Sequence, residues 1–324
     1  MGNSLKQIQF TDVSVKGKFI KVPSIVMNGL TIIVQGRWLK KALIKGEDWI
    51  EIKDDIDPEL LIRAIRENKL YADLLVFSQQ IPDSAPKHTY YYEWKNLAVI
   101  PITSFDDWWN RLPQVTRKNV RRAGRRGVLV RIAAFNDSLI KDIIRVNNSS
   151  PTRQGRKFIH YGKNFDQVKK DYSAYIERSE YIGAYYQEEL IGFIRLIYRG
   201  QVASIMQLLC MPKHYDKRPS NALIAKAVEL CANKGIKYLI YGQLIYDQNF
   251  WAPMVEFKKR NGFQKIDVPV YYIPLSFKGR MAIIFRLHRG IKYFIPNRIK
   301  KSYYWLRKSF YEIIGKRFHK GEVF

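Results

Sequence analysis

Apolar residues follow two different periods along the chain. Short branched-rich runs, Leu30-Thr31-Ile32-Ile33-Val34, Leu74-Leu75-Val76-Phe77 and Leu97-Ala98-Val99-Ile100, predict strands. Between them, Asp57 to Asn68 places its apolar residues at helical spacing. Ser104 ahead of Phe105-Asp106-Asp107-Trp108-Trp109 predicts a capped helix start, with Ser104 as N-cap and Asp107 three residues later. From Tyr181 the pattern sharpens into a hairpin: strand Tyr181 to Tyr186, turn Gln187-Glu188-Glu189, strand Leu190 to Tyr198. A third strand, Ala203 to Cys210, leads into a loop from Met211 to Pro219. Ser220 to Cys231 then reads as a helix that buries Leu223, Ala227, Leu230 and Cys231, stops at Gly235, and is followed by a strand from Ile236 to Tyr241. The alternation predicts an α/β (α+β) protein with mixed sheets flanked by helices.

The 324 residues suffice for one large or two modest domains. Lys and Arg number 56 against 29 acids, a formal charge of +27. Such a surface attracts polyanions, and nucleic acid, an anionic membrane and phosphate-bearing substrates all satisfy it. Cys210 and Cys231, each in an apolar run, read as core residues suited to a reducing cytoplasm, so no disulfide framework is expected. The first residues lack a signal-peptide core, and no apolar run reaches the ~18 residues of a membrane span. The expected location is the cytoplasm, with membrane contact confined to the inner face of the plasma membrane. His88, His160, His214, His288 and His319 are scattered without zinc spacing, so no metal is expected. A nucleophile elbow, a Walker loop and a dinucleotide fingerprint are all missing.

Three segments concentrate chemistry. In Thr116 to Val128, residues Lys118, Arg121, Arg122 and Arg125 share one helical face, with Gly127 as the stop. No acid offsets these like charges, which cost helix stability; polyanion contact is the functional reading and a solvated face the plain one. The polar stretch Pro151 to Lys163 offers Arg153, Gln154 and Tyr161 to a phosphorylated or sugar-bearing acceptor. Beyond residue 278, cations such as Arg286, Arg298, Lys300 and Arg307 interleave with Tyr293, Tyr303, Tyr304 and Trp305. That mixture suits an anionic bilayer surface or RNA, and predicts a basic amphipathic helical tail over 279–324.

The runs "YIGAYYQEELIGFIRLIY", "PSNALIAKAVELCANKGIKYLIYG" and "MVEFKKRNGFQKIDVPVYYIPL", in that order, resemble the GNAT superfamily. They look most like the Fem-type peptidyltransferases and related two-lobed acetyltransferases, and "TRKNVRRAGRRGVLV" is similar to the basic helix of Fem proteins. The resemblance covers residues 25 to 290. It implies two GNAT-like lobes, 1–130 with the basic helix 116–126 and 131–278, followed by the tail. It also implies an acyltransferase acting on an amine of a cell-envelope precursor, such as a peptidoglycan or surface-polysaccharide unit.

Superfamily habit implies acetyl-CoA or another acyl-CoA as donor; the Fem-type alternative is aminoacyl-tRNA. The region His214 to Asn221 contains no glycine where acyl-CoA users place a glycine loop, a departure shared with Fem-type enzymes. Phe257-Lys258 is similar to their Phe-Lys pair, where the lysine stabilises charge on the reacting ester, and it stands where ordinary members have a tyrosine. Gln207, Lys217, Arg218, Ser220, Asn221, Gln243 and Tyr246 are the expected donor-binding residues. Arg153, Gln154, Tyr161, Lys118, Arg121 and Arg122 are the expected acceptor or phosphate contacts. No general base stands out; Glu189, Asp216, Asp247 and Glu256 are the carboxylate candidates. The competing readings are a non-catalytic GNAT-like protein that binds nucleic acid, and a scaffold at the membrane.

Overall fold

In the computed structural model the chain forms two compact units, one taking the chain up to Lys95 and resuming at Asp267, the other running from Asn96 to Ile266. The structure describes residues 8–15, 18–48, 50, 57–153, 156–245, 252–296, 299 and 302.

The first unit opens with an antiparallel meander, β1 (Gln9–Val15), β2 (Lys18–Met27), β3 (Leu30–Gln35) and β4 (Lys41–Ile44). Asn28 and Gly29, both at positive φ, make the tight turn between β2 and β3 that matches strand twist. Helix α1 (Pro58–Glu67) begins where the Asp57 carboxylate accepts from Glu59 N at 2.9 Å and Pro58 opens the first turn. It crosses over to β5 (Leu74–Ser78), which lies parallel to β4. Ile25, Ile32, Leu61, Ile65, Leu75 and Phe77 fill the core of this unit.

Strand β6 (Tyr92–Pro101) leads into the second unit, where α2 (Phe105–Arg111), α3 (Gln114–Arg125), β7 (Leu129–Ala133) and α4 (Asp137–Asn148) follow. Ser104 Oγ accepts from Asp107 N at 3.0 Å, so the expected cap of α2 is present. The expected boundary at 130/131 falls inside β7, and the basic helix belongs to the second unit. A small hairpin of β8 (Thr152–Arg153) and β9 (Arg156–Lys157) precedes α5 (Phe165–Ser173). Strands β10 (Ser179–Tyr186), β11 (Glu189–Arg199) and β12 (Val202–Cys210) pair antiparallel. Helix α6 (Pro219–Asn233), β13 (Tyr238–Ile240) and α7 (Ala252–Arg260) complete the unit. Its strand order is β6-β13-β12-β11-β10-β7, with β12 and β13 parallel. On one face, Ile182, Ile194, Ala203 and Ile205 pack with Trp108, Ala123, Leu223 and Ala227 of α2, α3 and α6. On the other, Tyr181, Leu190 and Phe193 pack with Ile140 and Ile143 of α4 and with Val168 and Tyr172 of α5.

Strand β14 (Gln264–Pro274) returns the chain to the first unit, antiparallel to β5, and α8 (Phe277–Ile284) and α9 (Ile291–Phe294) follow. Residues from 279 onward were expected to form a separate tail. Instead α8 enters the core of the first unit: Ala282 is buried beside Leu39 and Leu74, and His288 is buried with Nε2 2.8 Å from Glu93. The rest of that tail, from 297 apart from 299 and 302, lies outside the described residues. Gly279 is where α8 approaches closest, since a Cβ there would sit 1.9 Å from the Asp73 carbonyl oxygen. Gly279→Ala is therefore expected to cost ~1–3 kcal/mol as the helix is forced outward, read as a lowered melting temperature.

Candidate active site

The second unit has its most irregular backbone where β12 and β13 part. They pair only at Val202–Tyr238, Ala203–Leu239 and Ser204–Ile240, a shorter contact than the expected strand Ile236 to Tyr241. Just beyond, the β11–β12 register slips from Leu196–Ile205 to Arg195–Gln207, leaving Met206 as a bulge. The bulge reverses the facing of β12: Ala203 and Ile205 point to the α6 side before it, Leu208 and Cys210 after it. Gln207 consequently points to the α4–α5 side, with Leu209. Residues 206–209 are half-buried, whereas 202–205 are buried. Bulges of this kind re-aim side chains and end pairing next to active sites.

Lys258 projects from α7 toward this divergence. Its Nζ donates to the carbonyl oxygens of Tyr241 and Gln243, both at 2.6 Å, and stands 4.2 Å from the centroid of the Tyr241 ring. The residue is 1% exposed, and desolvation pushes its amine down to about 7. At neutral pH it therefore alternates between ammonium and amine, and both forms carry the two N–H groups the carbonyls require. Phe257 packs into the α6-side core, while Tyr241 presents its ring to the Lys258 ammonium.

The segment before α6, expected as an open loop, is a 3-10 turn over Pro212–Lys217. His214 N donates to Met211 O and Arg218 N to Tyr215 O, each at 3.1 Å, and Asn221 N donates to Arg218 O at 3.2 Å. Those amides are engaged within the chain, so they form no open cradle of the kind a helix start offers to a pyrophosphate. Among the expected donor contacts, Lys217 rests 4.6 Å from the Tyr186 ring centroid and 3.5 Å from Asp216. Ser220 Oγ donates to Cys210 Sγ at 3.2 Å, and Asn221, buried, donates to Asn261 Oδ1 at 3.0 Å, tying α6 to α7. Arg218 is exposed at a left-handed φ of 58°. Gln243 supplies its carbonyl to Lys258. Tyr246, Asp247 and Gln154 lie outside the described residues.

Among the expected acceptor contacts, Arg153 is engaged by the fold through both Nη atoms: Nη1 donates to Cys210 O at 2.6 Å, and Nη2 donates to Val146 O and Ser149 Oγ, each at 3.1 Å, while Nε is buried without a hydrogen-bond partner among the described residues. It pins the β8–β9 hairpin to the end of β12. Tyr161 is exposed. Lys118, Arg121 and Arg122 are exposed along α3. Thr116 Oγ1, bonded to Arg260 O at 2.9 Å, fixes one end of that helix. Arg126, 2.8 Å from Asp216, fixes the other end against the turn that leads into α6. The carboxylates considered as bases are paired at the surface: Glu189 with Lys213, Asp216 with Arg126, Glu256 with Arg260. Sequence reasoning missed Tyr241, and it missed the half-buried His160 and Asp171 that meet Gln207, which was expected at the donor. Gln207 and His160 meet although they lie 47 residues apart, a proximity that no local pattern marks.

Among the described residues, no cluster of three or more His, Cys, Asp or Glu could hold a metal ion, and no helix is long and apolar enough to cross a membrane.

No protein-family profile matches the sequence, and no curated protein matches it. Solved structures do. FemX is 11% identical, with a TM-score of 0.56 over 80% of this chain and 88% of that one. A C-terminal DUF2156 domain from Agrobacterium fabrum, assigned to lysylphosphatidylglycerol synthetase, is 12% identical, with a TM-score of 0.55 over 81% and 87%. L-PGS from Bacillus licheniformis is 13% identical, with a TM-score of 0.52 over 80% and 85%. At these identities the likeness is one of fold, and the fold of this chain is the GNAT/Fem-like one.

Proposed function

We propose that the second unit transfers an aminoacyl group from a charged tRNA to an amine of a cell-envelope component. The observation that carries this reading is Lys258, buried at the divergence of β12 and β13 and held there by two backbone carbonyls. A cation fixed in a dry cleft stabilises the oxyanion that develops when an ester carbonyl is attacked. The choice of donor follows from the closed turn before α6, which leaves no cradle for a pyrophosphate, and from the exposed cations of α3 beside that turn. Such a row of cations suits the phosphates of an RNA backbone.

One of the fold neighbours carries the name of a lysylphosphatidylglycerol synthetase, which favours an envelope acceptor. In the first unit, exposed Phe277, Ile284 and Phe285 lie among exposed Arg280 and Arg286, a composition suited to the surface of an anionic membrane.

The test is a melting titration with aminoacyl-tRNA and, separately, acetyl-CoA, followed by transfer of labelled aminoacyl groups to anionic vesicles or to a peptidoglycan precursor. Charged tRNA is expected to raise the melting temperature in a salt-sensitive way and to lose its label to an envelope acceptor. Stabilisation by acetyl-CoA alone would reverse the choice of donor. Stabilisation by neither, with no label transferred, would sink the reading.

A further inference from the structure

The acceptor amine needs a group to take its proton, and among the described residues the carboxylates named from the sequence, Glu189, Asp216 and Glu256, are each paired with a cation. We propose that His160, oriented by Asp171, is the general base; the assignment rests on the acyl-transfer reading above.

His160 lies in the turn between β9 and α5, and that turn is tied down on both sides. Phe158 N donates to Pro151 O at 2.9 Å, and Gly162 N to Asn148 Oδ1 at 2.8 Å. Arg153 anchors the preceding hairpin to Cys210 O. The imidazole edge meets the rings of Phe158 and Tyr172 at 5.4 and 5.8 Å between centroids. Its Nδ1 lies 3.4 Å from Asp171 Oδ2, an ion-pair distance without hydrogen-bond geometry, and Lys163 Nζ lies 2.5 Å from the same oxygen. Burial alone would raise the Asp171 carboxyl, but His160 and Lys163 more than offset this and hold it below the usual carboxylate range. Asp171 is thus a fixed anion. Arg195 on β11 keeps its helix in place by donating to the carbonyls of Asp171 and Ala174.

The other ring nitrogen, Nε2, lies 3.4 Å from the side-chain amide nitrogen of Gln207. An N–H facing Nε2 makes that nitrogen the acceptor and places the ring proton on Nδ1, toward Asp171. This is the tautomer a base requires. Gln207 Oε1 is buried without a hydrogen-bond partner among the described residues, so an acceptor stands open beside the lone pair of Nε2. An incoming ammonium takes the place of the Gln207 N–H at the single lone pair of Nε2 and gives a second hydrogen to Oε1.

His160 and Lys258 are each tied to one of the two diverging segments. The last β12–β13 pair is Ser204–Ile240; Gln207 lies past it on β12, beyond the bulge, and Gln243 lies past it in the segment that follows β13. Gln207 carries His160 on the α4–α5 side, and the Gln243 carbonyl carries Lys258 on the other wall of the gap. The acceptor's proton leaves on one wall while charge on the donor carbonyl is met on the other. In the step itself the ammonium gives one proton to His160 Nε2. The free amine then forms the new N–C bond as the donor's C–O bond breaks, the leaving oxygen takes the second amine proton, and His160 returns its proton to solvent.

The test uses the full chain, labelled aminoacyl-tRNA, and two small acceptor probes: ethylamine, protonated at neutral pH, and hydroxylamine, which is not. Wild type is expected to transfer to both. His160→Gln is expected to lose ethylamine transfer by about 100-fold at pH 7, to keep hydroxylamine transfer within a few-fold, and to close the gap to wild type in ethylamine transfer as pH rises. Asp171→Asn, which leaves the imidazole in place but unoriented, is expected to show the same selective loss at about tenfold. It carries the test if His160→Gln does not fold. Equal loss of both probes in folded variants, or a wild-type pH profile in both variants, overturns the assignment. Wild type transferring to neither probe instead removes the acyl-transfer reading and this assignment with it.

Discussion

Lys258→Ala is expected to abolish acyl transfer and to lower the melting temperature at the same time. The first effect follows from losing the cation at the reacting carbonyl, where one electrostatic donor supplies roughly 100- to 1,000-fold in rate. The second follows from what Lys258 does for the fold. It satisfies the carbonyls of Tyr241 and Gln243 from a site only 1% exposed, and the variant leaves both without that donor. Each buried orphan costs ~1–3 kcal/mol, and the missing side chain adds a cavity.

The same residue predicts a pH dependence with opposite signs for rate and stability. The Lys258 amine titrates at about 7 in the fold against an ordinary 10.5, so the ammonium is lost from the native state first. Transfer to hydroxylamine, an acceptor already neutral, should fall as pH rises through about 7 and the cation is lost. Stability should move the other way. Between those two values the unfolded chain binds more protons than the native one, so this group's contribution to stability grows with pH until both states are neutral. Rates and melting temperatures of wild type and Lys258→Ala, measured across neutral to mildly alkaline pH, check both signs. A wild-type rate with hydroxylamine that climbs steadily through this window would remove the cationic role.

Arg153→Ala is the second large expected effect, and it is structural. The guanidinium satisfies Cys210 O and Val146 O and reaches Ser149 Oγ, joining the end of β12, the end of α4 and the β8–β9 hairpin at one point. Its removal takes the guanidinium donor from Cys210 O, while Val146 O keeps Ser149 N and Oγ, and it frees the turn that carries His160. A loss of ~1–3 kcal/mol is expected, together with faster proteolytic cleavage between α4 and α5. Arg153→Lys should recover only part of this, since an ammonium does not reproduce the planar fork. Unchanged melting and unchanged cleavage in Arg153→Ala would return Arg153 to the role of substrate contact expected from the sequence.

Much of the fold was legible because it is written locally. The helix over Asp57 to Asn68 appears as α1, and the Ser104 cap makes the bond expected of it. The cationic helix, expected over 116–126, runs over Gln114–Arg125. The hairpin around Gln187 and Glu188 closes as read, with both residues at positive φ. The candidate site was legible only in part. Phe257-Lys258 was visible through resemblance, but Arg153, Ser220 and Asn221 were assigned to substrates from their type, and the fold uses their side chains for itself. His160 was passed over because its partners, Asp171 and Gln207, are brought to it by the packing of α5 on the sheet and by the bulge at Met206.

By itself the sequence determined the elements and their order, because helical and strand periods, caps and turns depend on residues a few positions apart. The tertiary structure alone decided where β12 and β13 separate and which way Gln207 faces. It also decided that Lys258 sits dry between two carbonyls and that Asp171 stands behind His160. Desolvation and hydrogen bonding between distant segments set those properties, and neither acts until the chain has packed.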